Sequence, residues 1–591
     1  MIKNPKVTGV TGFTNSFLKG NEKESNNYIY MSPVSPTPEQ LDFINSKAVV
    51  AAALASPGCA KTSTVIMTAQ HFVSKGASPG RILVLTFTNN AVTEIQERLN
   101  RYGTNGVRVC TIHSFCKELY TSYNPGFSLL DEVDQLKAFR TLLPETSAEI
   151  TKKLITAFQR NRNLQLKDED LNKAFFELSG SVISQAVKSY QDYKNENRLY
   201  DFEDMISGVL DLFESRKDIL NRVREHFECV VLDEAQDTSL LQWNLILAIS
   251  KKLRVVGDPK QSIYGWRGGV TDFVKLLPGA ELFALTRNFR STPQIINILN
   301  SVYPTKIETV KEAGLRPSLL NFDNEELEAV EIAKQAMEAQ SNGHKVAILS
   351  RDRKHLKNIA LFLMAIGGDL RQFELSKDLT NFLKGWRYLC SGSPFELSEL
   401  HVGLGIEQSV VLDSGLADGI LIINDEYENK LNFLKHLQFS SGLKDKYSLL
   451  NFYQLIWCKF FGQSESLLKA TVTLSSGKLE LVKKFTSRLP ITVNTIHSQK
   501  GAEYDTVFLV SCVDGVMPSA QSKDLVEEKN GFYVAISRPR YHLTISYFRK
   551  NINGRPTQPS PFLSELHRGG LVSYVRQDFE KISADEGADL I

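Results

Sequence analysis

The chain reads as an α/β protein with two parallel-sheet domains, each interrupted by a mainly helical insertion. Three observations predict this. Short β-type apolar runs at 49–54, 82–87, 109–112, 229–232 and 253–256 have helical segments between several of them, the alternation of a parallel sheet. A second set of runs at 282–285, 346–349, 492–496, 506–510 and 542–546 suggests a second such domain. Two stretches, ~116–200 and ~375–488, lack that rhythm and show helical spacing, as in Leu171, Ala174, Phe175 and Leu178.

These runs divide the 591 residues into an expected map. Residues 1–35 form a polar arm. The first α/β domain takes 36–115 and 200–283, with a helical insertion at 116–199. The second takes 284–374 and 489–570, with an insertion at 375–488, and 571–591 is a tail. Lys and Arg total 69 against 67 Asp and Glu, so the chain has no global positive field, and any nucleic-acid track must be a local groove. The seven cysteines (Cys59, Cys110, Cys116, Cys229, Cys390, Cys458 and Cys512) contain no C-x-x-C pair, so neither a zinc site nor a disulfide framework is indicated. There is no signal-peptide core and no run near the ~18 apolar residues of a membrane span, so a reduced cytoplasmic protein with no membrane partner is expected.

The first run stops at Ala55-Ser56-Pro57-Gly58-Cys59-Ala60-Lys61-Thr62, and a helix begins at Ser63. Strand, tight turn and helix N-terminus are what a phosphate loop needs. Its backbone N–H groups would cradle phosphates, Lys61 would meet the β- and γ-phosphates, and the Thr62 hydroxyl would hold Mg²⁺. Ala60 stands where glycine is usual, and its methyl crowds the backbone's approach to phosphate. Alone, the segment could be an ordinary strand–turn–helix. The run at 229–232, however, ends in Asp233-Glu234-Ala235-Gln236-Asp237. Acids at a strand's C-terminal tip lie in the ligand crevice of an open α/β sheet. Asp233 would bind Mg²⁺, and Glu234 would orient the attacking water. A solvated acidic turn is the alternative for this segment alone; the two motifs together favour a nucleotide site.

Further motifs follow in one order. They are Thr37-Pro38-Glu39-Gln40, Thr86-Phe87-Thr88-Asn89, Thr111-Ile112-His113-Ser114-Phe115 and Tyr200-Asp201-Phe202-Glu203-Asp204. Next comes Gly257-Asp258-Pro259-Lys260-Gln261-Ser262-Ile263-Tyr264-Gly265-Trp266-Arg267-Gly268. Last are Asn288-Phe289-Arg290-Ser291-Thr292, Thr495-Ile496-His497-Ser498-Gln499-Lys500-Gly501-Ala502-Glu503-Tyr504 and Tyr533-Val534-Ala535-Ile536-Ser537-Arg538. In these the chain resembles the UvrD/Rep/PcrA family of superfamily 1 DNA helicases. The resemblance covers both α/β domains but reaches neither insertion nor the first ~35 residues.

It implies two RecA-like motor domains, ATP and Mg²⁺ as cofactors, single-stranded DNA and duplex junctions as partners, and movement 3′ to 5′. It also implies roles. Gln40 would read adenine, Phe289 stack on it, and Glu503 touch the ribose. Gln261 would sense the γ-phosphate, and Arg290 and Arg538 would act as arginine fingers. The nucleotide-binding set is then Gln40, Ala55, Ser56, Pro57, Gly58, Cys59, Ala60, Lys61, Thr62, Ser63, Phe289 and Glu503, with Thr62 and Asp233 on the metal. Departures from the family pattern are Ala60, Ser63 where arginine is common, Asn530-Gly531, and Pro539 where alanine is common.

On the DNA side, Phe87, Tyr264 and Trp266 would stack bases without reading sequence. Asn89, Thr111, His113, Arg267 and His497 would contact backbone or bases. A lone tryptophan is ordinarily core, the reading for Trp243, Trp386 and Trp457; the glycines around Trp266 favour stacking there. Phe452, Ile456 and Phe460 recur at helical spacing and read as core. The 375–488 stretch has no obvious basic cluster, so few phosphate contacts and weak unwinding by an isolated monomer are expected. Two other readings remain. A nuclease-helicase would need an Asp…Glu-x-Lys cluster, and none stands out after the last run. An ATP-switched DNA sensor, partnered by a separate nuclease in a defence or repair complex, would unwind little by itself.

Overall fold

The structure, a computed structural model, describes residues 35–365, 370–371 and 490–577, apart from 168–170, 172–177 and 523. The expected N-terminal arm before residue 35, the insertion at 375–488 with Trp386, Trp457 and the 452–460 pattern, and most of the tail lie outside the described residues. The chain forms two compact units, 1–289 with 306–310, and 290–305 with 311–591.

In chain order, unit 1 contains α1 (Pro38–Asn45), β1 (Val50–Ala55), α2 (Lys61–Ser74), β2 (Ile82–Thr86), α3 (Asn89–Arg101), β3 (Arg108–Thr111), α4 (Ile112–Tyr123) and β4 (Ser128–Leu129). Then come α5 (Glu132–Leu142), α6 (Ala148–Asn163), α7 (Gly180–Glu196), β5 (Leu199–Tyr200), α8 (Phe202–Ser215), α9 (Lys217–His226) and β6 (Cys229–Leu232). It closes with α10 (Leu240–Ile249), β7 (Leu253–Gly257), β8 (Glu281–Leu285) and the short pair β9 (Arg287–Asn288) and β10 (Glu308–Thr309). Its six-stranded sheet runs β3-β2-β6-β7-β1-β8, parallel throughout. Strands β2, β6 and β7 are buried at every position, the mark of a sheet covered on both faces. Their apolar runs were therefore easy to see. Helix starts are fixed by side-chain caps: Thr37 and Gln40 form a capping box at α1, and Asp201 and Asp204 form one at α8.

The run at 282–285 was expected in the second domain. It is β8 of unit 1, paired in register with β1 from Ala51↔Glu281 to Ala55↔Leu285. The physical reason is that apolarity says a segment will pair but not with which sheet. As an edge strand, β8 leaves Glu281 and Leu282 exposed, so its own pattern is weak. The unit boundary accordingly falls after Phe289, not after residue 283.

Helices α5, α6 and α7 gather around Phe139, Phe158 and Tyr190, a small core of their own. A buried ion network fastens them to α8. Arg162 of α6 bonds Asp201 at 2.9 Å and Asp204 at 2.6 Å, while Lys194 of α7 reaches the same two carboxylates at 2.7 and 2.6 Å. Burial works against the charge on Asp201, but Arg162 and Lys194 outweigh it and hold the carboxyl well below the usual range.

Unit 2 contains α11 (Pro293–Val302), β11 (Ser318–Phe322), α12 (Glu325–Ser341), β12 (Val346–Ser350), α13 (Leu356–Ala365), β13 (Leu370–Arg371), β14 (Ile491–Thr495), β15 (Tyr504–Leu509), α14 (Leu525–Ile536), β16 (Pro539–Phe548), α15 (Ser564–Arg568) and β17 (Ser573–Gln577). Its sheet is parallel in the order β13-β14-β12-β15-β16-β11-β17. Among the described residues no helix is long and apolar enough to cross a membrane.

Candidate active site

The C-terminal ends of β1, β6 and β7 bring three loops together, as expected for the ligand edge of a parallel sheet. The loop after β1 turns at Gly58 (φ 71°) and Ala60 (φ 57°, ψ 42°), so Ala60 holds the left-handed conformation that glycine adopts freely. This costs an L-residue about 1–2 kcal/mol. Helix α2 starts at Lys61, and its first-turn N–H groups have no partners inside the helix, which makes its N-terminus suited to an anion. Ala55, Pro57 and Cys59 are buried; Ser56, Gly58, Ala60, Lys61, Thr62 and Ser63 are half-buried.

Lys61 Nζ lies 3.3 Å from a carboxylate oxygen of Glu234. Glu234 also has a left-handed backbone (φ 52°), strain of the kind that gathers at functional sites. Asp233 beside it is buried, and burial followed by the Glu234 charge pushes its carboxyl up to about 7, against the pull of Lys61. Asp258, at the tip of β7, is also raised, chiefly by burial. Such carboxylates suit a cation. Among the described residues no group of three or more His, Cys, Asp or Glu could hold a metal unaided. Mg²⁺ needs only one or two protein oxygens when phosphates supply others, so Asp233 and Thr62 fit it.

The residue that joins these loops is Gln236, which sequence reading left without a role. It is fully buried. Its Nε2 donates to Glu234 at 2.5 Å and its Oε1 accepts from the Asp258 N–H at 2.8 Å. Asp258 in turn accepts from Gln261 Nε2 at 2.6 Å. The Gln236 carbonyl accepts from the Ser262 hydroxyl at 3.2 Å. Lys61, Glu234, Gln236, Asp258 and Gln261 thus form one continuous polar line that leads into the 257–268 segment.

That segment ends in an aromatic turn. Phe87 and Tyr264 are stacked at 5.5 Å and 21°, and Trp266 meets Tyr264 edge-on at 6.4 Å. Trp266 is 38% exposed, with the Arg267 guanidinium 4.6 Å above its ring. Trp243 is fully buried and stacked on Phe273, the core role expected of it. Asn89 is exposed at the start of α3. Thr111 caps α4, accepting from the Ser114 N–H at 3.1 Å, so its hydroxyl already serves the helix. His113 sits edge-on to Phe202 at 5.2 Å; burial, then Arg267, lowers its pKa to about 4, so it is neutral near pH 7.

Other expected residues are partly engaged. Gln40 is buried, with Oε1 accepting from the Thr37 N–H at 2.9 Å and Nε2 donating to Thr64 at 2.8 Å. Its amide has a second N–H and a second lone pair beyond these bonds. Ser63 receives a hydrogen bond from Arg98 of α3 at 2.7 Å, so a guanidinium stands beside the position that lacks the family's arginine. Phe289 is half-buried; its N–H donates to the Gly58 carbonyl at 2.9 Å, and Asn288 Nδ2 to Pro57 at 2.7 Å, tying both to the phosphate loop.

In unit 2, Arg290 bonds the Ser537 carbonyl at 2.9 Å and Glu503 at 2.5 Å. Arg540, which sequence reading missed, also reaches Glu503, at 3.1 Å. Burial opposes the Glu503 charge, but Arg290 and then Arg540 outweigh it and keep its pKa low. Arg538 is buried, donating to Val534 at 2.9 Å, Ala502 at 3.3 Å and Ser537 Oγ at 2.8 Å. His497 is lowered to about 4, by burial and then by Arg351.

Fold and site define the class: a phosphate-loop α/β protein with two parallel-sheet units. Residues 37–278 match the family model of the UvrD/REP helicase N-terminal domain, and 444–550 that of the UvrD-like helicase C-terminal domain, together more than half of the chain. The chain is 25% identical to a probable DNA helicase II homolog of Mycoplasma capricolum, over 87% of this chain and 85% of that protein. It is 24% identical to the ATP-dependent DNA helicase PcrA of Bacillus subtilis and 25% to that of Staphylococcus aureus, each over 87% of this chain and 83% of the relative. The chain belongs to the UvrD/Rep helicase family, and its α/β units are of the RecA-like kind.

Proposed function

We propose that this chain is an ATP-dependent DNA helicase and translocase that moves 3′ to 5′ on single-stranded DNA and opens duplex at a junction, in repair, recombination or defence. The observation that carries the reading is the polar line from Lys61 and Glu234 through Gln236 to Gln261, continuing into the Tyr264–Arg267 turn. It links the phosphate loop to an exposed aromatic surface within one unit. The names of the relatives, helicase II homolog and PcrA, support it, and the polarity rests on the family resemblance.

Lys61 and the α2 N-terminus would hold the phosphates. In drawing Lys61 toward phosphate, ATP would release Glu234 to orient water. Mg²⁺ at Thr62 and Asp233 would neutralise phosphate charge. Gln261 would report the γ-phosphate to the aromatic turn. Arg290 and Arg538 would stabilise transition-state charge, a contribution of ~10³–10⁵ for such fingers. The acids belong to unit 1 and the arginines to unit 2.

The test is single-turnover unwinding of 3′- and 5′-tailed duplexes, alongside ATPase assays with and without single-stranded DNA. DNA-stimulated hydrolysis with opening of the 3′-tailed duplex is expected. Stimulated hydrolysis without strand separation would favour the sensor-subunit reading instead.

A further inference from the structure

Helix α6 of the first insertion does more than fill space beside the aromatic turn. Its last turn is fitted closely to it. Gly268 has φ +90°, and a Cβ there would come within 2.7 Å of the Asn163 Cβ, so this position needs glycine for both conformation and space. One helical turn earlier, Arg160 Nε donates to the Gly265 carbonyl at 3.3 Å. Gln165, just past the helix, accepts from Asn244 of α10 at 2.7 Å. The insertion and the turn that carries Trp266 are therefore joined by backbone-level fit.

Arg160 is exposed, and Nε is its only side-chain nitrogen with a protein partner among the described residues. The hook at Nε fixes the plane of the guanidinium, while its two Nη groups keep their N–H donors. A planar pair of donors matches two oxygens of a phosphodiester. The neighbouring Arg267 differs, because its guanidinium lies over the Trp266 ring at 4.6 Å. A strand with bases on Phe87, Tyr264 and Trp266 must carry its phosphates past the edge of that platform. Arg160 stands at this edge, anchored to the residue before Trp266.

We propose that Arg160 is a backbone-phosphate contact for single-stranded DNA lying on the Phe87–Tyr264–Trp266 platform. The first insertion is then part of the strand-binding surface, although its sequence carries no recognisable motif. This rests on the DNA-binding reading above. It adds a sequence-independent contact, because phosphates carry no base information.

The test uses the full chain and a fluorescein-labelled oligothymidylate, without nucleotide, across a KCl series. The wild type should bind with an affinity that falls linearly on a log–log plot against salt. If the wild type does not bind, the DNA reading itself fails, whatever Arg160 does. Arg160→Ala should lower the magnitude of the salt slope by about 0.7, one single-strand phosphate contact. Arg160→Gln keeps an N–H for Gly265 but removes the charge, and should lose the same slope. Arg160→Lys keeps the charge and should retain it. Thermal melts of the variants establish that each is folded. An unchanged slope in both Arg160→Ala and Arg160→Gln would overturn the proposal, even with weakened affinity, because Arg160 would then only shape the turn.

Discussion

The two units treat the charges at their candidate sites in opposite ways. In unit 1, Asp233 is pushed up to about 7 and Asp258 is also raised, in each case mainly by burial and against the pull of Lys61. In unit 2, Glu503 is held low by two arginines that outweigh its burial, and Arg538 donates to two carbonyls and a hydroxyl of its own unit. The acids at the unit 1 site are dominated by burial, whereas the acid at the unit 2 site is dominated by its arginines. A metal–nucleotide complex relieves the first condition directly. The arginines of the second already hold acceptors of their own unit.

The largest expected effect tests the unit 1 side. Lys61→Ala removes the cation paired with Glu234, and ATP hydrolysis should fall by on the order of 10²–10³ or more, while nucleotide-free binding of single-stranded DNA is spared. Steady-state ATPase and oligonucleotide titration measure the two; wild-type turnover would remove the phosphate-loop assignment. Next comes the unit 2 side. Arg538→Ala should slow turnover by about 10³ with nucleotide affinity within a few-fold, since a finger acts on transition-state charge. It should also lower the melting temperature, because buried carbonyl acceptors lose their donor, at about 1–3 kcal/mol. Equal losses of binding and rate would make Arg538 a ground-state ligand.

A smaller effect is expected at the bridge. Gln236→Leu fills the same space but cuts the link between Glu234 and Asp258, and should lower DNA-stimulated turnover by up to about 10² through misplacement of the catalytic groups. Unchanged stimulation by DNA would show that the polar line transmits nothing. The smallest effect concerns stability. The folded value of Asp233, about 7, lies above its unfolded value, so the native state binds more protons between about pH 4 and 7. Stability of the nucleotide-free protein from this group is full below that window and declines as pH rises through it. Asp233→Asn should therefore melt above the wild type at pH 8, on the scale of about 2–4 °C per kcal/mol released, and close to it near pH 4. Scanning calorimetry at both pH values checks this, and a lower melting point at pH 8 would mean that Asp233 is compensated after all.

Much of the site was legible because its chemistry sits in short contiguous segments at strand ends. The loop at 55–62, the acids at 233–234 and the aromatic turn at 264–267 follow apolar runs that the structure builds as β1, β6 and β7. What was not legible depends on distant pairing. Gln236 works because its two-ended amide joins residues of β6's and β7's loops, and no spacing announces that. Assigning β8 required knowing its neighbour. Gln40 and Thr111 look like ligand residues in one dimension, yet both cap helices, a use of the same hydrogen-bonding groups that only the fold reveals. Arg160 lies in the first insertion, where no motif was read, and its bond to Gly265 joins residues 105 apart.

The chain passes between the units three times, after residues 289, 305 and 310. Helix α11 is carried into unit 2 by the first crossing, where Ile295, Ile296, Ile298, Leu299 and Val302 are buried, and β10 returns to pair with β9 in unit 1. A protease cut after Thr305 would not divide the chain into one polypeptide per unit. It would yield two polypeptides, the first owning α11 of unit 2 and the second owning β10 of unit 1, so each fragment retains a piece that completes the other's domain. In chain order the two units are interleaved, each owning a segment that lies between pieces of the other.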